Sequence, residues 1–132
     1  MKITVEDSLF AKYIKLKIGA VYQEDDNGKN FLFGNCEHCG QWKVLECSHL
    51  HSRVRKTTRF DEENVAALCG GCHKYLGEHP PAHTSFFKQR LGSDRLEKLE
   101  IRSNMTIKDL PYDKKELRKD LKAKIRRLEG EY

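Results

Sequence analysis

The sequence predicts an α+β fold, a small β core stapled by cysteines and flanked on both sides by helices. Three observations carry this expectation. Two Cys-x-x-Cys pairs, Cys36/Cys39 and Cys69/Cys72, stand 29 residues apart. Short apolar runs of strand length lie beside each pair. Helix-spaced apolar residues with capping signals fill both ends of the chain. At 132 residues there is room for one domain.

The first 35 residues are expected to be a helix and a strand. Thr4 followed by Asp7 is a capping-box-like start. Leu9, Phe10, Tyr13, Ile14 and Leu16 recur at helical spacing to about Ile18, with Gly19 as the stop. Asp25-Asp26-Asn27-Gly28 signals a turn, and Asn30–Phe33 is a short strand after it. The central segment, 36–76, opens on the knuckle Cys36–Gly40. Lys43–Cys47 is a strand that delivers Ser48 and His49. A loop rich in Arg and Thr follows from about Ser52 to Glu63, then a second strand, Asn64–Leu68, ending at Cys69-Gly70-Gly71-Cys72. A helix opens at His73 and runs through Leu76, terminated by Gly77 and Pro80-Pro81. Residues 82–110 form a helical flank. Thr84 or Ser85 caps a segment carrying Phe86, Phe87 and Leu91, and Ser93 caps another carrying Leu96 and Leu99. Beyond Pro111, residues 111–132 form a basic helix with a narrow stripe of Leu117, Leu121, Ile125 and Leu128.

No run approaches the roughly 20 apolar residues of a membrane helix. Acidic Glu6 and Asp7 precede any apolar stretch, which argues against a signal peptide and for a cytoplasmic protein without a membrane partner. In a reducing compartment five cysteines point to metal binding rather than to a disulfide framework. Two knuckles present four thiolates at about 2.3 Å to one tetrahedral ion. Cys36, Cys39, Cys69 and Cys72 are therefore the expected ligands of a structural zinc, with Cys47 left as a packing residue. Residues 36–76 hold few large apolar side chains, so metal binding supplies folding free energy the segment lacks.

Charge placement matters more than the formal net +5. Residues 36–83 carry six basic and six acidic side chains, and the whole surplus lies beyond residue 83. Locally, Arg53, Arg55, Lys56 and Arg59 form a basic run with no acid between His49 and Phe60, a pattern suited to phosphates. If both knuckles grip one ion, His49 and His73 face each other across a small cleft beside that run. One neutral imidazole to take a proton from water and another to hold a divalent ion would make a phosphodiesterase site.

The string Cys36-x-x-Cys39, Ser48-His49, Asn64, Leu68-Cys69-x-x-Cys72-His73 resembles the HNH nucleases. Their zinc-stapled subgroup carries two such cysteine pairs on a ββα-metal (His-Me finger) core. Cys47-Ser48-His49-Leu50-His51-Ser52-Arg53 is similar to a phage and prophage branch that includes recombination endonucleases, which implies an intracellular, phage- or prophage-encoded protein. The resemblance is strong over 36–73 and weaker to about 104. It implies that His49 is the general base, that His73 binds the catalytic ion, and that Asn64 fixes the loop or the base by hydrogen bonds. It also implies products with a 5′ phosphate and a 3′ hydroxyl. Many members place Asp before the base; here Ser48 stands there, a poor ligand for a hard cation. His51 is the candidate for a second ligand, and a register with His51 as base is the alternative. The catalytic ion expected is Mn²⁺, Mg²⁺ or Ni²⁺, with a nitrogen-rich set favouring the transition metals.

The leading expectation is thus a metal-dependent DNA endonuclease that nicks or cuts both strands, with Arg53, Arg55, Lys56 and Arg59 on the DNA. The rival is a zinc-stapled nucleic-acid-binding module without catalysis. The terminal helix either grips DNA, packs on the body, or pairs two chains as a homodimer.

Overall fold

A computed structural model describes residues 2–130 of the chain. The elements are α1 (Val5–Lys17), β1 (Val21–Glu24), β2 (Asn30–Asn35), β3 (Trp42–His49), a 3-10 turn (Glu62–Asn64) and β4 (Val65–Cys69). Four helices follow: α2 (Gly70–Glu78), α3 (Pro80–Leu91), α4 (Ser93–Ser103) and α5 (Lys114–Leu128). The α+β class is as the sequence implies. None of these helices is long and apolar enough to cross a membrane.

α1 begins as its sequence dictates. Thr4 Oγ1 accepts from the Asp7 amide at 3.1 Å, and the Asp7 carboxylate accepts from the Thr4 amide at 2.9 Å. The helix buries Phe10, Tyr13 and Ile14, and the chain leaves it through Gly19 at φ +95°. β1 is not apparent from the sequence, because all four of its residues are exposed and show no alternation. It forms as the partner of β2 across the expected turn, where Asp25 Oδ1 accepts from the amides of Asn27 and Lys29, each at 2.9 Å.

The sheet is antiparallel in the order β1-β2-β3-β4. β3 changes partners halfway. Trp42–Val44 pair with β2, whereas Leu45–His49 pair with β4, so the upper half of β3 has one edge free of strand pairing. At the changeover β2 lies so close that a Cβ on Gly34 would sit 2.7 Å from Leu45 Cδ1. β4 is wholly buried, and its outer edge is closed rather than left open. Glu37 accepts from the Ala67 amide through its carboxylate and donates its own amide to the Ala67 carbonyl. Arg90 of α3 donates to the Val65 carbonyl at 2.7 Å.

Alternation along β3 and β4 divides the side chains between two helices. Cys47 and His49 point with Val65 and Ala67 toward α1; Glu46 and Ser48 point with Ala66 and Leu68 toward α2. The later helices correct the expected boundaries. α2 starts at Gly70, not His73. The proline pair both ends α2 and opens α3, since the first turn of a helix needs no donor from Pro80 or Pro81. Ser93 lies inside α4, whose cap is Gly92 at φ +81°. α5 is capped by Asp113 and lays Leu117, Leu121 and Ile125 against the body, where α1 covers them. Of the stripe that is also one alternative for a homodimer contact, Leu117, Leu121 and Ile125 are covered within the single chain, while Leu128 is exposed. Ion pairs Arg118–Glu6 and Lys12–Glu129 flank that packing. Residues 131 and 132 of the expected terminal segment lie outside the described residues.

Candidate functional site

The four cysteines of the two knuckles converge, with their sulfur atoms all within 4.8 Å of one another. Cys39 and Cys69 sulfurs are 3.9 Å apart, close to the roughly 3.8 Å edge of a tetrahedron with 2.3 Å Zn–S bonds. Gly40 at φ +77° closes the first knuckle with its amide on the Cys36 carbonyl at 2.8 Å. In the second, the Cys72 amide points at Cys69 Sγ. Burial raises the Cys36 thiol, but amides of Cys39, Cys69 and His38 outweigh it and bring it to about 7. Burial and the three neighbouring thiols push Cys72 upward. Four thiols so close cannot all ionise without a cation among them, so the donor set fits a structural metal such as zinc. His38 sits against this site, its Nδ1 3.2 Å from Cys72 Sγ and its ring edge-on to Phe86.

Next to the cluster a cleft of about 690 Å³ opens between α1, the free edge of β3 and the first turn of α2. His49, Glu46, His73 and Arg53 line it, with Asp7, Lys12 and Lys15 on the α1 wall. Because the edge of β3 is unpaired there, residues from both faces of the strand reach one space.

His49 Nε2 lies 2.9 Å from the Arg59 carbonyl. A carbonyl only accepts, so Nε2 carries the proton and Nδ1 keeps a free lone pair. Burial lowers the pKa of His49 below the ordinary histidine value; the carbonyl opposes that and the Arg53 charge adds to it. The ring is consequently neutral at pH 7. His73 Nδ1 lies 2.8 Å from Glu46 Oε1. This partner is missing from the sequence-level candidates. The signal available was that Glu46 is the only carboxylate on β3, at an exposed position that alternates with buried Leu45.

Asn64 is fully buried. Its Oδ1 accepts from the His51 amide at 2.8 Å, and Nδ2 donates to the carbonyls of His51 and Thr58 at 3.0 and 2.9 Å. It thereby ties the start and the middle of the 50–63 loop, at His51 and Thr58, to the residue just before β4. Asn64→Asp removes both donors and turns a carboxylate oxygen toward those carbonyls; stability is expected to fall by about 2–4 kcal/mol. Urea unfolding measures it, and an unchanged midpoint would contradict the role.

The remaining candidates are dispersed. Ser48 is buried in the sheet opposite Ala66 and does not line the cleft. His51 is also absent from the cleft wall; burial lowers its pKa, and its Nε2 is buried without a partner, as is that of His83. Nor does the basic run form one patch. Arg59 turns inward, its Nε and Nη2 on Asp7 at 2.9 and 2.5 Å. Arg53 faces the cleft with Nη1 3.4 Å from Asp7, Arg55 reaches Asn104 at 2.8 Å, and Lys56 is exposed. The cause is the buried Asp7 carboxylate, which requires a counter-ion. Burial raises its pKa, yet the bonds from Arg59 and Thr4 prevail and hold it far below the carboxylate range.

Comparison of the chain with protein-family models, with curated proteins and with solved structures finds no match to any of them.

Proposed function

We propose that the chain is a metal-dependent DNA endonuclease in which β3, β4 and α2 form a ββα-metal unit of the HNH kind. The observation that carries this reading is the cleft itself. A neutral imidazole held by a backbone carbonyl and a histidine–carboxylate pair share one opening, beside a loop tied down by a buried asparagine.

In this reading His49 Nδ1 takes a proton from the attacking water. The imidazolium that results keeps its Nε2–H bond to the Arg59 carbonyl and gains from the nearby Asp7 carboxylate. His73 and Glu46 would hold the divalent ion. Their 2.8 Å separation suits two donors on one cation as well as a shared proton, and the carboxylate admits Mg²⁺ alongside Mn²⁺ and Ni²⁺. When bound, the ion supplies positive charge to the scissile phosphate and the departing 3′ oxygen. Arg53 on one wall, with Lys12 and Lys15 on the other, would draw the phosphate backbone into the cleft. The products are a 5′ phosphate and a 3′ hydroxyl. Supercoiled plasmid incubated with protein and Mg²⁺, Mn²⁺ or Ni²⁺ tests the reading. Cation-dependent conversion to nicked or linear DNA supports it; salt-sensitive binding with no cleavage under any ion leaves the non-catalytic module instead.

The outer face of α5 is a second contact in the same reading. Lys115, Lys119, Lys122 and Arg126 are exposed and fall within about 60° of one another around the helix. Among the described residues none of the four is in an ion pair; the pairs here use Arg118, Asp120 and Lys124 of α5 and Glu129 just past its end. Replacing all four by glutamine should lower the slope of log K against log salt by about 3 to 4. Fluorescence anisotropy over a salt series measures it, and an unchanged slope removes α5 from the DNA interface.

A further inference from the structure

We propose that Asp7 is a positioning residue for His49: by gripping the Arg59 guanidinium it fixes the backbone carbonyl that orients the imidazole. The inference rests on the nuclease reading for its catalytic consequence, though not for its structural one. It reaches outside the segment that carries the motif, to the first turn of α1.

The geometry runs through three links. Asp7 Oδ1 and Oδ2 accept from Arg59 Nε and Nη2 at 2.9 and 2.5 Å, a two-pronged pairing with both side chains largely buried. Arg59 contributes its own carbonyl to His49 Nε2 at 2.9 Å. Asp7 is itself immobilised, because Oδ2 also accepts from the amide and hydroxyl of Thr4 at 2.9 and 3.0 Å. One carboxylate therefore closes the helix cap and anchors the loop. The loop needs such an anchor. Asn64 Nδ2 holds the Thr58 carbonyl at 2.9 Å, the next backbone hydrogen bond along the chain is the Asp61 amide on that same carbonyl at 3.2 Å, and the ring of Phe60 packs on Phe10 and Tyr112 without a hydrogen bond to fix the 59–60 peptide. Between them, residue 59 is held through its side chain. A loose Arg59 lets its peptide plane rotate, and His49 then loses the acceptor that selects the Nε2–H tautomer and leaves Nδ1 free for water. The other groups that pack on His49 or share its cleft are Phe10, Lys12 and Lys15 of α1, Arg53 and Arg59 of the loop, and Glu46 and His73 across the cleft. None of them substitutes for the Asp7 grip.

The test uses the full chain with Asp7→Asn, which keeps the side-chain size but loses the charge and the two-pronged grip. Nitrogen-15 NMR of the His49 ring should give a single Nε2–H tautomer in the wild type and a mixture in Asp7→Asn. On plasmid, kcat should fall about 10-fold or more. KM for DNA should not rise, since Arg53 is released rather than removed. The acid limb of the pH–rate profile should move to lower pH, because a carboxylate favouring imidazolium is gone. Glu6→Gln, which loosens the α1–α5 contact on the same helical turn, should lower the melting temperature while leaving tautomer and kcat unchanged. If Asp7→Asn does not fold, Arg59→Lys tests the same link and should also mix the tautomers. A wild-type tautomer and wild-type kcat in a folded Asp7→Asn protein overturn the proposal and leave the pair as a docking contact alone. Absence of cleavage by the wild type instead overturns the nuclease reading, and the tautomer measurement still decides on Asp7.

Discussion

On the nuclease reading, His49→Ala should slow plasmid nicking by about 10²- to 10⁴-fold, the range a general base contributes, with metal at the cysteine cluster retained. His73→Ala should cost a similar factor and be partly relieved by raising the divalent ion concentration. Glu46→Gln should do the same more mildly, because the amide still offers one oxygen. His51→Ala should keep most activity, since that ring does not line the cleft; loss there with activity kept in His49→Ala would reverse the assignment of the base. The pH dependence has a definite sign. Burial places the folded pKa of His49 below the ordinary 6.5, and only the neutral ring accepts a proton. At saturating metal the rate therefore rises with pH through a value below 6.5 and is flat above it. The same shift affects folding. The stability gained from a neutral buried His49 is full above the unfolded pKa and is lost as pH falls through the folded one. Initial rates and urea midpoints from pH 5 to 8 measure both, and an acid limb above 6.5 would falsify the assignment.

Removing metal from the cysteine cluster should unfold the centre of the chain. The two knuckles are the covalent neighbours of β2–β3 and β4–α2, and β4 between them buries only small or medium side chains, Val65, Ala66, Ala67 and Leu68. Structural zinc contributes about 10 kcal/mol or more in small domains, as much as the whole stability of an ordinary one. Cys36→Ser and Cys72→Ser, or a strong chelator, are expected to abolish the cooperative thermal transition and to release an equivalent of metal per chain. Elemental analysis beside circular dichroism checks it. A metal-free protein that melts cooperatively at the wild-type temperature would remove the ion from the account of the fold. Loss of the proposed DNA cleavage here would follow from loss of the cleft, which separates these variants from His49→Ala.

Much of the local chemistry was legible. The Thr4–Asp7 box, the Asp25–Gly28 turn and both knuckles came out as read, because each depends on residues a few positions apart. The apolar stripe of α5 was visible too, but its burial against α1 depended on which face the sheet left open. β1 escaped because an exposed edge strand has no reason to alternate. α3 began earlier than its hydroxyl caps suggested because proline serves the first turn without a donor. At the cleft, His49 and His73 were recognisable from their places beside the cysteine pairs, while Asn64, buried behind it, stood out only through the family resemblance. Glu46 was not, since it becomes the partner of His73 only once α2 folds back over β3.

What the amino-acid order determined by itself was therefore set by neighbours in the chain: the cap of α1, the turn at Asp25–Gly28, the two knuckles, the short apolar runs of β3 and β4 and the stripe of α5. The tertiary structure alone decided which charges are free. Four cations in a row from Arg53 to Arg59 look equivalent in sequence. Folding sends one to a buried Asp7, one to Asn104, one to the cleft and one to water. A buried carboxylate on a helix 52 residues away captures the nearest guanidinium because an unpaired charge in the interior is far costlier than an exposed one. No local pattern encodes that meeting.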